Sequence, residues 1–307
     1  MKRIIQIVFI MAALGAGAVY YQANQILNIV NRNSLHCKPI YKGSPKKLTE
    51  KVKAKKSVNF LLLGVDTGAL NRHFKGRSDT IMLLSINPKT KKSLLISIPR
   101  DMGSIMPSQA NAGLAKTNTA YELGGPQTMR KVLKQHYNIP IDGYAIVNMG
   151  GLEDLLAAVH GVRVKSNLTF TQDWYHFKKG HYYRLHGKKA LAYIRERHED
   201  PLGDYGRQIR QRQVLKALMK KIMKPKVLMN KKAVRKITKH VKTDVTKKDV
   251  IPLGIDYASA LKHMKTGHAQ GSSKDVWNLN YGLMEVENMS PQEDRRVTNL
   301  IKRNMKE

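Results

Sequence analysis

The sequence predicts an α/β fold built on a mixed β-sheet and preceded by one N-terminal membrane-spanning helix. Three observations carry this expectation. Short apolar runs bounded by Gly, Pro or Asp alternate with amphipathic helical stretches. Two of those runs are joined only by the turn Asn87-Pro88-Lys89-Thr90, which makes them antiparallel neighbours. Ile4 to Tyr21 is apolar apart from Gln6.

The apolar segment comes first. Residues 1–3, Met1-Lys2-Arg3, form a short basic end that stays in the cytoplasm. Residues 4–21 are near the minimum length for a helix that crosses a bilayer. Tyr20 and Tyr21 then fall at the far interface, where aromatic rings are favoured. A cleaved signal peptide is the competing reading, with Ala16-Gly17-Ala18 as the processing site. The apolar run continues past it through Val19 and both tyrosines, which favours a retained anchor. The expected location is therefore the cell membrane, single-pass, with everything after Gln22 extracytoplasmic. Cys37 is alone, so no disulfide framework exists, and it reads as an incidental linker thiol. Residues 22–57 show no sustained periodicity and carry Lys46-Lys47 and a basic run from Lys51 to Lys56. They read as a basic stalk, with the globular part at 58–307.

Val58 to Val65 is a short apolar run ending in Asp66, the pattern of a buried strand. Thr80 to Ile86 and Ser93 to Ile98 are the two hairpin strands. Pro126 starts a helix to about Tyr137, with Gly125 before it. Asp142 to Asn148 reads as a strand, Gly151 to Val159 as a helix stopped by Gly161, and Val162 to Lys165 as a strand. Gly187 to Ile194 is a short helix. From Arg207 to about Lys224 no Gly interrupts the chain, and Val214, Leu215, Leu218 and Ile222 fall at helical spacing. Beyond Lys224 the pattern weakens into helical pieces near Lys231 to Val241 and Lys247 to His263.

Charge narrows the partners. Fifty-five Lys and Arg against 22 Asp and Glu give +33. Such a surface attracts polyanions: nucleic acid, an anionic membrane surface or an anionic polymer. An exported domain does not meet nucleic acid, so the last two remain.

The densest charge lies between Arg195 and Gln211. Arg207 and Gln211 extend the apolar stripe of the following helix toward its N-terminus, and Arg210 flanks that stripe. A guanidinium and an amide on a core-facing side need partners. The positive end of the helix dipole lies there too, so an anion would satisfy all of them. The alternative is that these arginines are solvated or pair with Glu196, Glu199, Asp200 and Asp204.

Other charges recur at the ends of the expected strands: Asp66, Arg77, Asp79, Arg100 and Asp101. Loops at strand ends are where α/β folds build sites. Arginine grips phosphate oxygens in a fork. Carboxylates beside phosphate need a divalent cation between them, and Asp66 with Asp79 is the natural pair for Mg²⁺ or Mn²⁺. Asp204 or Asp101 would then position or deprotonate a hydroxyl nucleophile in phosphoryl transfer.

Five segments resemble the successive motifs of the LytR-CpsA-Psr family, in that family's order. They are Asn59 to Asp66, Gly76-Arg77-Ser78-Asp79-Thr80, Ser97-Ile98-Pro99-Arg100-Asp101, Ala192 to Arg197, and Gly203 through Gln213. The resemblance covers about Val58 to Lys224. It implies an αβα sandwich with a lipid-accepting apolar pocket. It also implies transfer of an anionic glycopolymer, such as teichoic acid or capsular polysaccharide, from a polyprenyl pyrophosphate carrier to peptidoglycan. Carried over by motif, Asp66 and Asp79 bind Mg²⁺, while Arg77, Arg100, Arg195, Arg197, Arg207 and Gln211 contact the pyrophosphate. Arg77, Arg100, Asp101 and Asp204 are the catalytic candidates. Many members carry Arg two residues after the first Asp; here Gly68 stands there, with Arg72 nearby as a replacement. A non-catalytic protein that binds polyprenyl phosphate or anionic polymer, once read in such sequences as a transcriptional attenuator, is the alternative from another class.

Overall fold

A computed structural model of the chain describes residues 44–66, 76–222, 224, 227 and 230–306. The expected membrane helix at 4–21, the basic end before it, Gly68 and Arg72 lie outside the described residues. No helix among the described residues is long and apolar enough to cross a membrane.

Helix α1 (Ser44–Lys53), in the segment expected to be a stalk, opens the described chain. Leu48 and Val52, one turn apart, are buried against Val58, Phe60 and Tyr257. Within the described residues, packing against the sheet therefore extends back to Leu48, ahead of the expected start at 58. Two apolar residues among lysines were enough, because a short helix on a sheet face buries only one narrow stripe.

Strands β1 (Val58–Val65), β2 (Ser78–Asn87) and β3 (Lys92–Ile98) form an antiparallel meander closed by the expected turn. β4 (Gly103–Ile105) and β5 (Leu114–Lys116) pair as a small ribbon. Helix α2 (Thr119–Tyr137) starts before Pro126, with a kink at Gly124 and Gly125 that leaves the first turn at an angle to the rest. β6 (Gly143–Asn148) lies parallel to β1. The Asn148 side chain then caps α3 (Met149–Ala158) by accepting from Gly151 N at 2.8 Å.

A subsidiary layer follows: β7 (Val162–Lys165), β8 (Phe170–Gln172), β9 (Tyr175–Phe177) and β10 (Tyr182–Leu185). Helices α4 (Gly187–Arg195) and α5 (Gly203–Ile222) come next. Then come α6 (Lys231–His240), β11 (Lys242–Thr243) and α7 (Lys247–Pro252), followed by irregular helical turns over 253–263. The expected helical piece to His263 is thus present, its winding changing after Pro252 while Leu253 N still donates to Asp249 O. β12 (Met264–His268), the hairpin β13 (Ser272–Asn278) and β14 (Gly282–Asn288), and α8 (Pro291–Met305) complete the chain.

The central sheet has the order β11-β6-β1-β2-β3-β12, with β1–β6 and β3–β12 parallel and the other pairs antiparallel. It is mixed, as the sequence predicts. Its two faces read directly from alternation along the strands. Leu61, Leu63, Ile81, Leu83, Ile96 and Ile98 point to one side, against Met129, Val132 and Leu133 of α2 and Val297 and Ile301 of α8. Phe60, Met82, Leu84 and Leu95 point to the other, toward α1, Tyr257 and the partly buried Leu215 and Met219 of α5. Each such side chain contributes about 1.5–3 kcal/mol on burial. Helices therefore cover both faces, giving an α-β-α sandwich. A second core joins Leu155, Leu156, Val164, Phe177, Tyr193, Val214 and Leu218, and it fastens the subsidiary layer to α3, α4 and α5.

Candidate functional site

The charged residues gather at one end of β1, β2 and β3. Gly64 faces Thr80 and Val65 faces Ser78, so Asp79 is the extra residue of a bulge in β2. A bulge re-aims the side chain it carries. Gly64 is required opposite it, since a Cβ there would lie 2.9 Å from that of Thr80. Asp66 follows β1, and its Oδ1 accepts from Arg77 N at 3.0 Å.

Arg100 and Asp101 leave the end of β3 through Pro99. Arg100 Nη1 donates to Asp79 Oδ1 at 2.8 Å, and its Nε lies 3.4 Å from Asp101 Oδ2. Lys116 Nζ holds Asp101 Oδ1 at 2.9 Å. The backbone of this corner is pinned by Asn118 N on Arg100 O and Glu287 N on Asp101 O. Burial opposes the charge on Arg100, but Asp79 first, then Asp101 and Asp204, outweigh it and raise its pKa. Burial likewise works against ionisation of Asp101, yet Lys116 and Arg100 hold its carboxyl below the usual carboxylate range.

The other wall is the N-terminal turn of α5. The helix begins at Gly203, four residues before the expected start, and so includes Asp204 in its first turn. An acid there suits the dipole. Asp204 Oδ1 lies 2.5 Å from Arg207 Nη2, and its Oδ2 accepts from Gln208 Nε2 at 3.0 Å. Arg207 is buried, and its Nε has no partner among the described residues. Burial lowers its pKa; Asp204 and Asp79 oppose this, while Arg100 and Arg197 reinforce it. Those influences bring Asp79, Arg100, Arg197, Asp204 and Arg207 into one electrostatic cluster. Gln211, one turn after Arg207, is buried on the same side. Arg195 closes α4 half-buried, and Arg197 is exposed just beyond it. Arg77 points its guanidinium to Glu122 at 2.7 Å, at the start of α2.

Two arginines of the same segment do something else. Arg210, expected at the flank of the stripe, is the most deeply buried arginine. It donates to Asp200 Oδ2 at 2.5 Å and to Glu196 O, and so fixes the turn between α4 and α5. Gly206 permits this, because a Cβ there would overlap the Asp200 carboxylate. Arg212 is buried with Nη1 unpartnered. The stripe itself divides. Val214 and Leu218 enter the second core with Ile222 at its margin, while Leu215 turns toward the central sheet.

Sequence reasoning missed Lys116, Glu122, Tyr205 and Glu287. Tyr205 donates to Glu287 Oε2 at 2.7 Å, accepts from Gly271 N at 3.0 Å, and packs its ring 5.1 Å from that of His268. Burial, aided by Asp204 and Asp101, raises the pKa of Glu287 despite the Tyr205 hydrogen bond. Tyr205 lies within one of the matching motifs and was available as a signal; Glu287, beyond the brief Met284 and Val286 alternation of its hairpin, was not.

Asp66 and Asp79 offer hard oxygen donors from adjacent strand ends, a donor set that fits Mg²⁺ when phosphate oxygens complete its shell. Among the described residues no cluster of three or more acids, histidines or cysteines would hold a metal by itself.

Comparison with known proteins gives the chain's relatives. The LytR_cpsA_psr family model matches residues 24–296. A polyisoprenyl-teichoic acid–peptidoglycan teichoic acid transferase TagU of Enterococcus faecalis is 39% identical over 219 residues, 71% of each chain. The crystal structure of Bacillus subtilis TagU superposes with a TM-score of 0.63 at 28% identity, covering 82% of this chain and 98% of that one. A TagT solved with LI-WTA bound gives 0.65 at 25% identity, covering 82% and 92%. The chain belongs to the LytR-CpsA-Psr family.

Proposed function

We propose that this protein transfers a glycopolymer of the teichoic acid class from a polyprenyl pyrophosphate carrier to peptidoglycan by phosphoryl transfer. One observation carries the reading: Arg207, buried with a free Nε, faces Arg100, Asp79 and Asp204 across the ends of three strands and one helix. An arginine desolvated beside a second arginine is costly unless an anion joins them. A pyrophosphate supplies that anion. The names of the relatives point to the same donor and acceptor.

The residues divide the work. Arg100 and Arg207 grip phosphoryl oxygens, and Arg195, Arg197 and Gln211 border the same opening. Arg77 is the outer arginine, swung onto Glu122. Both oxygens of Asp101 are committed, one to Lys116 and one to Arg100, so Asp101 orients Arg100. Asp204 does the same for Arg207. Glu287, whose raised pKa makes it the better proton acceptor, takes the proton of the attacking hydroxyl. Asp66 and Asp79 would hold Mg²⁺ or Mn²⁺, which would neutralise charge on the polyprenyl phosphate that leaves as the P–O–P bond breaks. The N-terminal apolar segment anchors the domain outside the cytoplasmic membrane, where donor and acceptor meet.

Transfer from a lipid-linked donor to peptidoglycan, assayed for the wild type and Arg207→Lys, tests the proposal. Abolished or at least tenfold reduced transfer is expected in the variant. A wild type that binds the donor but transfers nothing would instead make the protein a binder.

A further inference from the structure

A groove of about 400 Å³ lies at the far end of α5 from the charged cluster. Gly161, Arg163, Tyr182, Arg184 and Lys221 line it. Lys221 is fourteen residues beyond Arg207 on the same helix, about 21 Å along its axis.

The β7–β10 ribbon explains its character. Tyr182 faces Lys165 and Arg184 faces Arg163, so these four share one side of the ribbon. Val162, Val164 and Leu185 occupy the other side and are buried in the second core. The outer side therefore carries one aromatic ring, three cations and no acid. Arg163 and Arg184, directly opposite each other, are a like-charge pair of the kind that destabilises a ribbon. Lys221 and Lys224 add to the field: burial first, then Arg184 and Lys224, lower the pKa of Lys221.

Part of this charge has a structural use. Arg184 donates to His160 O at 2.9 and 2.6 Å, and Lys221 donates to Gly161 O, so both cap the end of α3. Arg163 has no such use. It lies over the Tyr182 ring at 4.3 Å, with Lys165 at 6.0 Å, and Tyr182 is 59% exposed. None of the five cations makes an ion pair among the described residues.

We infer that this groove is a binding subsite for an anionic glycan chain. A sugar ring stacks on the exposed face of Tyr182, and phosphodiester or carboxylate groups meet Arg163, Arg184 and Lys221. A concave, polar, forked-cation site fits a polymer repeat better than a bilayer, which calls for a convex apolar surface. The inference deepens the transferase reading: the groove would hold the polymer some 20 Å from the reacting phosphate, at the spacing given by the helix.

The test uses the full chain and a soluble phosphodiester glycopolymer freed of its lipid, so no transfer is needed. Calorimetry compares the wild type with Tyr182→Ala and Arg163→Glu, two exposed positions outside the charged cluster. Each should weaken binding by at least about fivefold, and the double variant by at least about twentyfold, with no loss of thermal stability, since Arg163→Glu also relieves the like-charge pair with Arg184. Wild-type affinity should fall as salt rises, and a neutral glycan of the same sugars should bind at least tenfold more weakly. Transfer of a donor carrying a single repeat should be unchanged in the double variant, while a long-chain donor loses apparent affinity. Undiminished polymer binding by the double variant, equal binding of the neutral glycan, or preference for anionic-lipid vesicles over the polymer would each overturn the subsite. Failure of all transfer in the wild type would remove the transferase reading and leave the binding result standing.

Discussion

Arg100 Nη1 stands 2.8 Å from Asp79 Oδ1, joining the end of β3 to the bulge in β2. The same carboxylate is a proposed cation ligand, so arginine and cation compete for it. Arg100→Gln should tighten Mn²⁺ binding, read by direct titration, while transfer drops. Asp66→Asn/Asp79→Asn should weaken Mn²⁺ at least tenfold. Unchanged Mn²⁺ affinity in the double variant would remove both carboxylates from the metal site.

The arginines should not tolerate lysine. A guanidinium fork matches two phosphate oxygens, and an ammonium does not. Losing one charge-assisted bond costs about 1.5–3 kcal/mol, or roughly one to two decades in rate when it acts in the transition state. Arg195→Lys and Arg197→Lys should each reduce transfer about tenfold with little change in melting temperature. Near-normal transfer by the double variant would leave these two as solvated surface.

Glu287→Gln should lower kcat at least about tenfold with KM within twofold, and flatten the acidic limb of the kcat profile against pH. Tyr205→Phe, which removes the hydroxyl on Glu287, should shift that limb without abolishing turnover. An unaltered limb in Glu287→Gln would mean that another group takes the proton.

His268 gives the fold a mildly acidic weakness. Burial first, then Arg212 and Arg296, depress its pKa, while Gln270 and Glu293 oppose them. A depressed base folds best when neutral. Its contribution is therefore present above the ordinary histidine value of about 6.5 and is lost as pH falls through the lower folded value. The pinned carboxylates Asp101 and Glu293 have lowered values and act only in more acid solution. The melting temperature should fall between pH 7.5 and 5.5, and His268→Gln should reduce that slope. Equal slopes would clear His268.

Arg212 carries the opposite expectation for stability. Burial alone pushes its pKa down to about 10, and Nη1 has no partner among the described residues. Arg212→Met keeps the volume and removes the charge. Replacing a buried ion by an apolar side chain is often stabilising by about 1 kcal/mol or more, which is roughly 2–4 °C for a domain of this size. A lower melting temperature would show that Arg212 is satisfied by a contact of its own.

What was legible in the sequence follows from how each element is buried. β1, β2 and β3 lie in the middle of the sheet and are covered on both faces, so they had to be bounded apolar runs. The acids and arginines at their ends were visible because those runs stop abruptly. α1 was not, since Leu48 and Val52 are the buried pair among its described side chains, in a lysine-rich stretch. β12, β13 and β14 were not, since edge and hairpin strands with exposed faces carry little apolar alternation, here only Met284 and Val286 of β14. Arg210 and Arg207 look alike in sequence; only the position of Asp200 separates a structural arginine from one that faces the site.

The described chain also ends where it begins. Ser57 Oγ donates to Met305 O, and Asn87 Nδ2 donates to Asn304 O and Lys306 O, at the pole of the sheet opposite Asp66 and Asp79. Tension applied through the proposed N-terminal anchor would thus meet a clasp between the entry to β1, the end of β2 and the C-terminal tail. That clasp would take load before the strands do, and so would shield the end of the sheet that carries Asp66 and Asp79 from a pull on such an anchor.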